Sequence, residues 1–183
     1  MTKVLVANRG EIALRVIRAC RAEGFKTVAV YSDPDQNSPH VWAADEAVRI
    51  GPAPANRSYL RPEILLHVAL KSGCDAVHPG YGFLSERADF AAKCREEGLI
   101  FIGPSPEAIA LMGDKVEARR TAMRLWVPAV PGSEGAFTDP EAAARAAAKI
   151  GYPILLKARA GGGGRGMRVA REAADFGNMF IQA

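Results

Sequence analysis

Residues 3–31 read KVLVANRGEIALRVIRACRAEGFKTVAVY, two short apolar runs separated by an amphipathic stretch. The runs at 3–7 and 27–31 are bounded by turn residues, which is typical of buried strands. In the middle stretch, apolar residues recur at helical spacing: Ile12, Val16, Ala19 and Cys20. This spacing predicts a helix over about 11–23 that ends at Gly24. A strand, a helix and a second strand in this order predict two parallel strands of one sheet.

The same alternation continues along the first half of the chain. Strands are predicted over 47–50, 75–78 and 99–102, and helices over 62–71 and 86–97. Ser85 is expected to cap the second of these helices, because a serine before a helix can accept a hydrogen bond from its free amides. Strands that alternate with helices predict an α/β fold with a mostly parallel sheet covered on both faces.

The character of the sequence changes around Gly113. We therefore predict a first domain over 1–112, a connecting charged helix within 113–127 and the beginning of a second domain over 128–183. The second domain is predicted to contain a loop, a helix and two strands, at 128–140, 141–150, 153–158 and 167–170.

The bulk composition excludes several classes of protein. Lys plus Arg is 24 and Asp plus Glu is 20, and no basic block with interleaved aromatics occurs, so we expect no nucleic-acid partner. The cysteines, Cys20, Cys74 and Cys94, form no Cys-x-x-Cys pair. This pattern argues against a disulfide framework or a zinc site and indicates a reducing compartment. The first apolar run is too short for a signal peptide or a membrane span, so we expect a cytoplasmic protein.

The strongest chemical motif is GYPILLKARAGGGGRGMRVA, residues 151–170. Lys157 near the end of a strand, followed by a glycine loop and another strand, is typical of a hairpin that binds phosphate, because glycine amides can approach an anion closely. The loop formally contains G-x-G-x-x-G, but the dinucleotide fingerprint requires a helix after it. It also lacks the Gly-Lys-Ser/Thr ending of a Walker loop. The alternative is a surface hairpin without a ligand.

Three further segments are ambiguous when each is considered alone. Asn8-Arg9-Gly10 follows the first strand, where open α/β sheets bind ligands, but it is equally a tight turn. In HPGYGFLSER, residues 78–87, His78 and Tyr81 are either structural or part of a site. Lys115 stands near a helix start, where the helix dipole favours anions, so it is either solvated or bound to an anionic partner.

Taken in order, these segments resemble the biotin carboxylase family. The order is VLVANRGEIA, DEAVRIG, HPGYGFLSE, FIGPSPEAIALMGDK and then the lysine with its glycine loop. The resemblance extends over essentially the whole chain in register, and HPGYGFLSE with the stretch from IGPS to GDK is its most specific part. It implies a Rossmann-like N-terminal domain followed by a truncated ATP-grasp domain.

The resemblance also implies a reaction, cofactors and partners. ATP and bicarbonate would give carboxyphosphate, whose carboxyl group passes to N1′ of biotin on a biotin carboxyl carrier protein. The expected cofactors are ATP, Mg²⁺ and carrier-bound biotin, and the expected partners are a carboxyltransferase and a second copy in a homodimer. The module occurs in acetyl-CoA carboxylase of fatty acid biosynthesis and in propionyl-CoA, methylcrotonyl-CoA and pyruvate carboxylases, and the sequence does not choose among them.

Site residues follow from the resemblance position by position. The ATP-binding residues it implies are Lys115, Lys157, Gly163, Gly164 and Met167. The two lysines would contact the phosphates, the glycines would form the lid over them, and the methionine would pack near adenine. Tyr81 and Gly82 would face biotin and bicarbonate.

Two residues depart from the family pattern, and several expected residues are absent. Arg159 stands where the family usually has a small residue, and Trp126 where it usually has glycine. Only Glu172 and Asp175 follow Lys157 as acidic residues, so we expect neither a catalytic residue nor a metal site within these residues. The sequence is therefore expected to be an inactive N-terminal fragment.

Functions from other classes stay open as alternatives. Another ATP-grasp ligase, such as a carbamoyl-phosphate or purine-pathway enzyme, would share the glycine hairpin but not HPGYGFLSE. A truncated module without activity would bind a partner without turnover. A dinucleotide-binding oxidoreductase is disfavoured, because the glycine fingerprint is missing after the first strand.

Overall fold

The computed structural model describes residues 2–133, 135–158 and 166–183. It divides into two compact units, Met1–Ala110 and Leu111–Ala183. The domain limits that the sequence suggests, at 112 and 127, stay a prediction. No helix within the described ranges is long and apolar enough to cross a membrane.

The first unit is built on a five-stranded sheet in the order β3-β2-β1-β4-β5. Its elements, in chain order, are β1 (Lys3–Val6), α1 (Gly10–Ala22), β2 (Lys26–Ser32), α2 (Pro39–Ala43), β3 (Glu46–Gly51), α3 (Pro62–Lys71), β4 (Ala76–His78), α4 (Ala88–Glu96), β5 (Ile100–Phe101) and α5 (Pro106–Gly113), the last crossing the division. All neighbouring strands pair in parallel. The predicted parallel α/β sheet is confirmed, and the strand order is that of a Rossmann-like fold.

Alternating side chains of β1 enter two separate cores. Val4 and Val6 pack with helix α1 on one face, whereas Leu5 packs with α3 and α4 on the other. A sheet covered on both faces needs continuously apolar strands, which is why the run at 3–7 carries no polar alternation. Helix α1 buries Ala13, Val16, Ile17 and Cys20, a stripe of helical period. Ala19, which was expected on this stripe, is exposed.

Some local predictions are wrong. Helix α4 begins at Ala88 rather than near Glu86, and its first turn has no side-chain cap. Ser85 lies instead in a turn, in which its amide donates to the carbonyl of Gly82 (2.9 Å). Helix α2 was missed because its five residues are too few to show a helical period.

The second unit contains a helical part and a hairpin. Its elements are α6 (Lys115–Arg124), α7 (Pro140–Ile150), β6 (Ile154–Lys157), β7 (Met167–Ala170) and α8 (Ala173–Gln182). The strands pair antiparallel, as the motif predicted. One face of the hairpin is covered, because Ala170 is buried with Phe176 of α8 and with Ala143 and Ala147 of α7. Helix α8 was not predicted, and together with α7 it covers this face of the hairpin.

Candidate functional site

The centre of the first sheet contains a topological switch point. From β1 the chain moves to β2 on one side, and it returns later to β4 on the other side. Open parallel sheets bind ligands outside the carboxyl ends of the strands at such a position. The loop after β1, which begins at Ala7 and contains Asn8, meets there the loop after β4, which begins at Pro79. We call this edge the switch point, formed by residues 8–11 and 78–83.

Asn8 joins the two loops. Its side chain is 3% exposed, and its amide nitrogen donates to the carbonyls of Pro79 and Tyr81, both at 2.8 Å. Its amide oxygen accepts from the backbone of Arg9 at 2.9 Å. Gly80 has φ +65°, and a Cβ on it would lie 2.8 Å from the Asn8 amide nitrogen. The sequence alone did not indicate this role for Asn8, because its partners lie more than seventy positions along the chain.

Tyr81 projects from the loop that Asn8 holds. Its side chain is 62% exposed, and its hydroxyl donates to the carboxylate of Glu11 in the first turn of α1. This hydrogen bond raises the pKa of Tyr81, with the charge of Glu11 adding to it. Gly82, the other residue implied for this side, follows with φ +67°. The structure therefore brings the two predicted residues to the switch point, and it adds Glu11, which the sequence analysis missed.

Arg9 lies in an aromatic and acidic surrounding on the same edge. Its guanidinium carbon is 5.4 Å from the ring centre of Tyr59 and 5.6 Å from that of Phe83, and the two rings stack. One guanidinium nitrogen is 3.4 Å from the Asp35 carboxylate. Burial raises the pKa of Asp35, but hydrogen bonds from Tyr59 and Ser32 and the charge of Arg9 outweigh it, so this pKa lies below its usual range. The Arg9 charge is therefore already balanced within the fold.

His78 has a local structural role. Its Nδ1 accepts from the amide of Gly80 at 3.0 Å, and burial lowers its pKa. A neutral ring that accepts at Nδ1 carries its proton on Nε2. The structural interpretation of His78 therefore fits the contacts.

The second unit brings Lys115 to the end of the hairpin. Lys115 is the first residue of α6, and Asp114 caps that helix by accepting from the amides of Val116 (2.8 Å) and Glu117 (3.2 Å). The Lys115 ammonium donates to the carbonyl of Ala158 at 3.0 Å. Ala158 directly follows Lys157, the last residue of β6, so the Lys115 ammonium lies at the end of the hairpin strand that carries Lys157.

The uncovered face of the hairpin is apolar and ends in a lysine. Lys157 pairs with Met167 across the strands, and Leu155 pairs with Val169. Directly opposite residues of an antiparallel pair point to the same side. The three apolar side chains on this side are 38–51% exposed, whereas Leu156, on the other side, packs toward the core. Such a surface suits a flat apolar ring with an anionic group beyond it. Gly163, Gly164 and Arg159 lie outside the described residues.

The described residues do not by themselves form a cluster of three or more metal ligands. Within 2–133, 135–158 and 166–183, no group of three His, Cys, Asp or Glu side chains could hold a metal ion. We therefore assign no chemical step to a metal bound by these residues.

Comparison with known proteins settles the family. A sequence model described as the biotin carboxylase N-terminal domain matches residues 1–109. The chain belongs to the biotin carboxylase family. A second model, the ATP-binding domain of the carbamoyl-phosphate synthase L chain, matches residues 114–183.

Individual members of the biotin carboxylase family are similar along the whole chain. Biotin carboxylase 2 of Bacillus subtilis is 55% identical over 99% of this chain. The mitochondrial methylcrotonoyl-CoA carboxylase subunit alpha of rice is also 55% identical over 99%. The 2-oxoglutarate carboxylase biotin carboxylase domain dimer of Hydrogenobacter thermophilus, solved with MgADP, ADP and bicarbonate, is 50% identical, with a TM-score of 0.92 over 100% of the chain. The chain spans 45%, 25% and 41% of these three proteins.

Proposed function

We propose that this chain forms the N-terminal part of a biotin carboxylase. In the proposed reaction, a bicarbonate oxygen attacks the γ-phosphorus of ATP, and the bond to the β,γ-bridging oxygen breaks to release ADP. The carboxyphosphate that results transfers its carboxyl group to N1′ of biotin as the bond between its carbon and the phosphate oxygen breaks, and the departing phosphate takes up the N1′ proton. The observation that supports the proposal is the hydrogen bond from the Lys115 ammonium to the carbonyl of Ala158, the residue directly after Lys157 at the end of β6.

The candidate ATP-binding residues each have a defined part in this proposal. Lys115 and Lys157 would bind the phosphates and balance the charge that builds up during phosphoryl transfer. Met167, together with Leu155 and Val169, would contact adenine. Magnesium, when bound, would neutralise phosphate charge, and its ligands would be residues other than those described here. Gly163 and Gly164 keep their proposed place in the lid.

The wider setting of the enzyme is also part of the proposal. We infer a biotin carboxyl carrier protein and a carboxyltransferase as partners, and a homodimer as the assembly. Acetyl-CoA carboxylase of fatty acid biosynthesis is one complex that would contain such a module. The three free cysteines are all buried in the fold and support a reducing compartment, for which we propose the cytoplasm.

A second candidate function has one observation in its favour. The match of residues 114–183 to a carbamoyl-phosphate synthase domain is compatible with another ATP-grasp ligase. We prefer biotin carboxylase because residues 1–109 match the N-terminal domain of that family.

A chimera tests the proposal directly. This chain would replace the segment that it matches in Bacillus subtilis biotin carboxylase 2, and ATP hydrolysis would be measured with and without bicarbonate and biotin. We expect hydrolysis that depends on both compounds. A folded chimera without such activity would contradict the proposed function.

Lys157→Ala in the chimera tests the phosphate contact. We expect a loss of about 2–4 kcal/mol in transition-state stabilisation, as for other electrostatic groups of active sites. The free energy of unfolding should change by less than about 0.5 kcal/mol, because the side chain is exposed. Lys149→Ala, at the exposed end of α7, is the matched control and should retain activity. Equal activity in the two variants, or unfolding of the first, would refute the role of Lys157.

A further inference from the structure

Tyr81 is held at two points at the switch point, its backbone carbonyl and its hydroxyl. Its carbonyl accepts from the buried Asn8 amide at 2.8 Å, and its hydroxyl donates to Glu11. The glycines on either side, Gly80 and Gly82, both have positive φ, at +65° and +67°. An exposed aromatic side chain fixed at both its backbone and its tip is oriented before any ligand arrives, which lowers the entropic cost of binding.

The contact with Glu11 also determines whether the Tyr81 hydroxyl donates or accepts a hydrogen bond toward a ligand. A phenol has one proton to donate and lone pairs that accept. Because the proton points at the Glu11 carboxylate, the oxygen is left to accept a hydrogen bond from a ligand. A phenol is protonated at neutral pH, and the contact with Glu11 raises the pKa of Tyr81 further.

We infer that Glu11 is a positioning residue that makes Tyr81 a hydrogen-bond acceptor for an N–H group of the substrate. The inference rests on the proposed function and deepens it. A neutral planar ring with N–H donors, such as the ureido ring of biotin, has the matching chemistry.

The same arrangement disfavours bicarbonate as the ligand of Tyr81. An oxyanion needs donors, and the only proton of this hydroxyl is already used. The nearby Glu11 carboxylate would repel an anion, and it would do so more strongly in a site less polar than water. Arg9 does not reverse this, because its charge is balanced by Asp35 at 3.4 Å. Tyr81 therefore belongs to the biotin side of the proposed reaction.

The hydrogen bond can be tested in this chain without any substrate. Tyrosine labelled with ¹³C at Cζ would be titrated by NMR, with the Tyr81 signal assigned from Tyr81→Phe. We expect Glu11→Gln to lower the pKa of Tyr81. Glu23→Gln, which removes an exposed carboxylate at the other end of α1, should leave it unchanged. An equal Tyr81 pKa in wild type and Glu11→Gln would overturn the inference.

The catalytic consequence is tested by a double-mutant cycle in the chimera. Tyr81→Phe and Glu11→Gln should each raise the KM for free biotin by roughly fivefold, the value of one ordinary hydrogen bond, and leave the KM for bicarbonate unchanged. The double variant should be no worse than Tyr81→Phe, because Glu11 acts only through the hydroxyl. Additive effects would assign Glu11 a merely structural role in α1, and an unchanged KM for biotin would also refute the inference. A wild-type chimera without biotin-dependent activity would instead refute the proposed function, since the NMR titration does not depend on it.

Discussion

A single buried amide, that of Asn8, connects the loop after β1 to the loop after β4. Both of its N–H groups are used on carbonyls of the second loop. Leaving the buried Pro79 carbonyl without a donor would cost about 1–3 kcal/mol, and leaving the partly buried Tyr81 carbonyl without one would cost less. Gly80 is needed beside it, because any Cβ there would meet the amide nitrogen and because φ is positive. Within HPGYG, a glycine at position 80 is therefore required by Asn8, which lies far away in the sequence.

The buried side chain of His40 makes the free energy of unfolding depend on pH. It is fully buried, and burial lowers its pKa below 6.5, although a contact with the Val30 carbonyl at 3.2 Å opposes this. As the pH falls through 6.5, the unfolded chain takes up a proton that the folded chain does not. We therefore expect the free energy of unfolding to fall below that pH, by at most about 1.4 kcal/mol per pH unit for this residue, until the folded pKa is passed.

Urea unfolding between about pH 7 and about pH 5 measures this slope. His40→Gln should make the slope shallower, and His67→Gln, which changes an exposed histidine of α3, should not. His78 contributes in the same direction, so some slope should persist. Asp45, whose pKa is lowered to about 2 by Lys26 and Thr27, acts only in a separate window below 3.8. Identical slopes in both histidine variants would contradict the role of His40.

At the scale of elements, helix α6 ends in a Schellman motif, which gives a physical reason for glycine at position 126, where this sequence has tryptophan. The amide of Val127 donates to the carbonyl of Ala122 (2.9 Å), and that of Trp126 to Met123 (3.1 Å). This motif places the residue after the C-cap in the left-handed region, which favours glycine. Trp126 occupies that position with φ +58°, and its side chain is 93% exposed.

We therefore expect Trp126→Gly to stabilise the second unit. A non-glycine residue with this φ costs about 1–2 kcal/mol, part of which is offset because glycine makes the unfolded chain more flexible. The net gain should be about 0.5–1 kcal/mol, measured as a rise in Tm. Trp126→Ala separates the two possible causes, since it removes the indole but keeps the strain. A gain from alanine as large as that from glycine would show that the backbone is not the reason.

Element prediction succeeded where the apolar period was clear. Strand β2 and helix α3 follow directly from the apolar runs and their breakers. Helix α8 was missed, although Phe176 and Phe180 stack on one side of it. The start of α4 was misplaced because Ser85 lies in a turn closed by the hydrogen bond from its amide to the carbonyl of Gly82, and the helix begins only after that turn.

At the scale of the whole molecule, the two units predict a simple pattern of limited proteolysis. Arg124 is exposed at the end of α6, and the residues that follow it, 125–130, are exposed as well. Trypsin should cut there first, because no buried core has to open, whereas cleavage inside the sheet of the first unit requires unfolding. Mass spectrometry of the early fragments is the measurement. A first cut between β1 and β5 would contradict the prediction.

The amino-acid sequence by itself determined the parallel sheet, the hairpin with its lysine and the family, because periodicity, turn residues and ordered motifs are local properties of the chain. The joining of Asn8 to the HPGYG loop, the pairing of Tyr81 with Glu11 and the contact of Lys115 with Ala158 were decided only by the tertiary structure. These contacts join residues 43 to 73 positions apart. Hydrogen bonds depend on distance and angle in space, and at such separations only the strand order and the packing of helices on the sheet set those quantities.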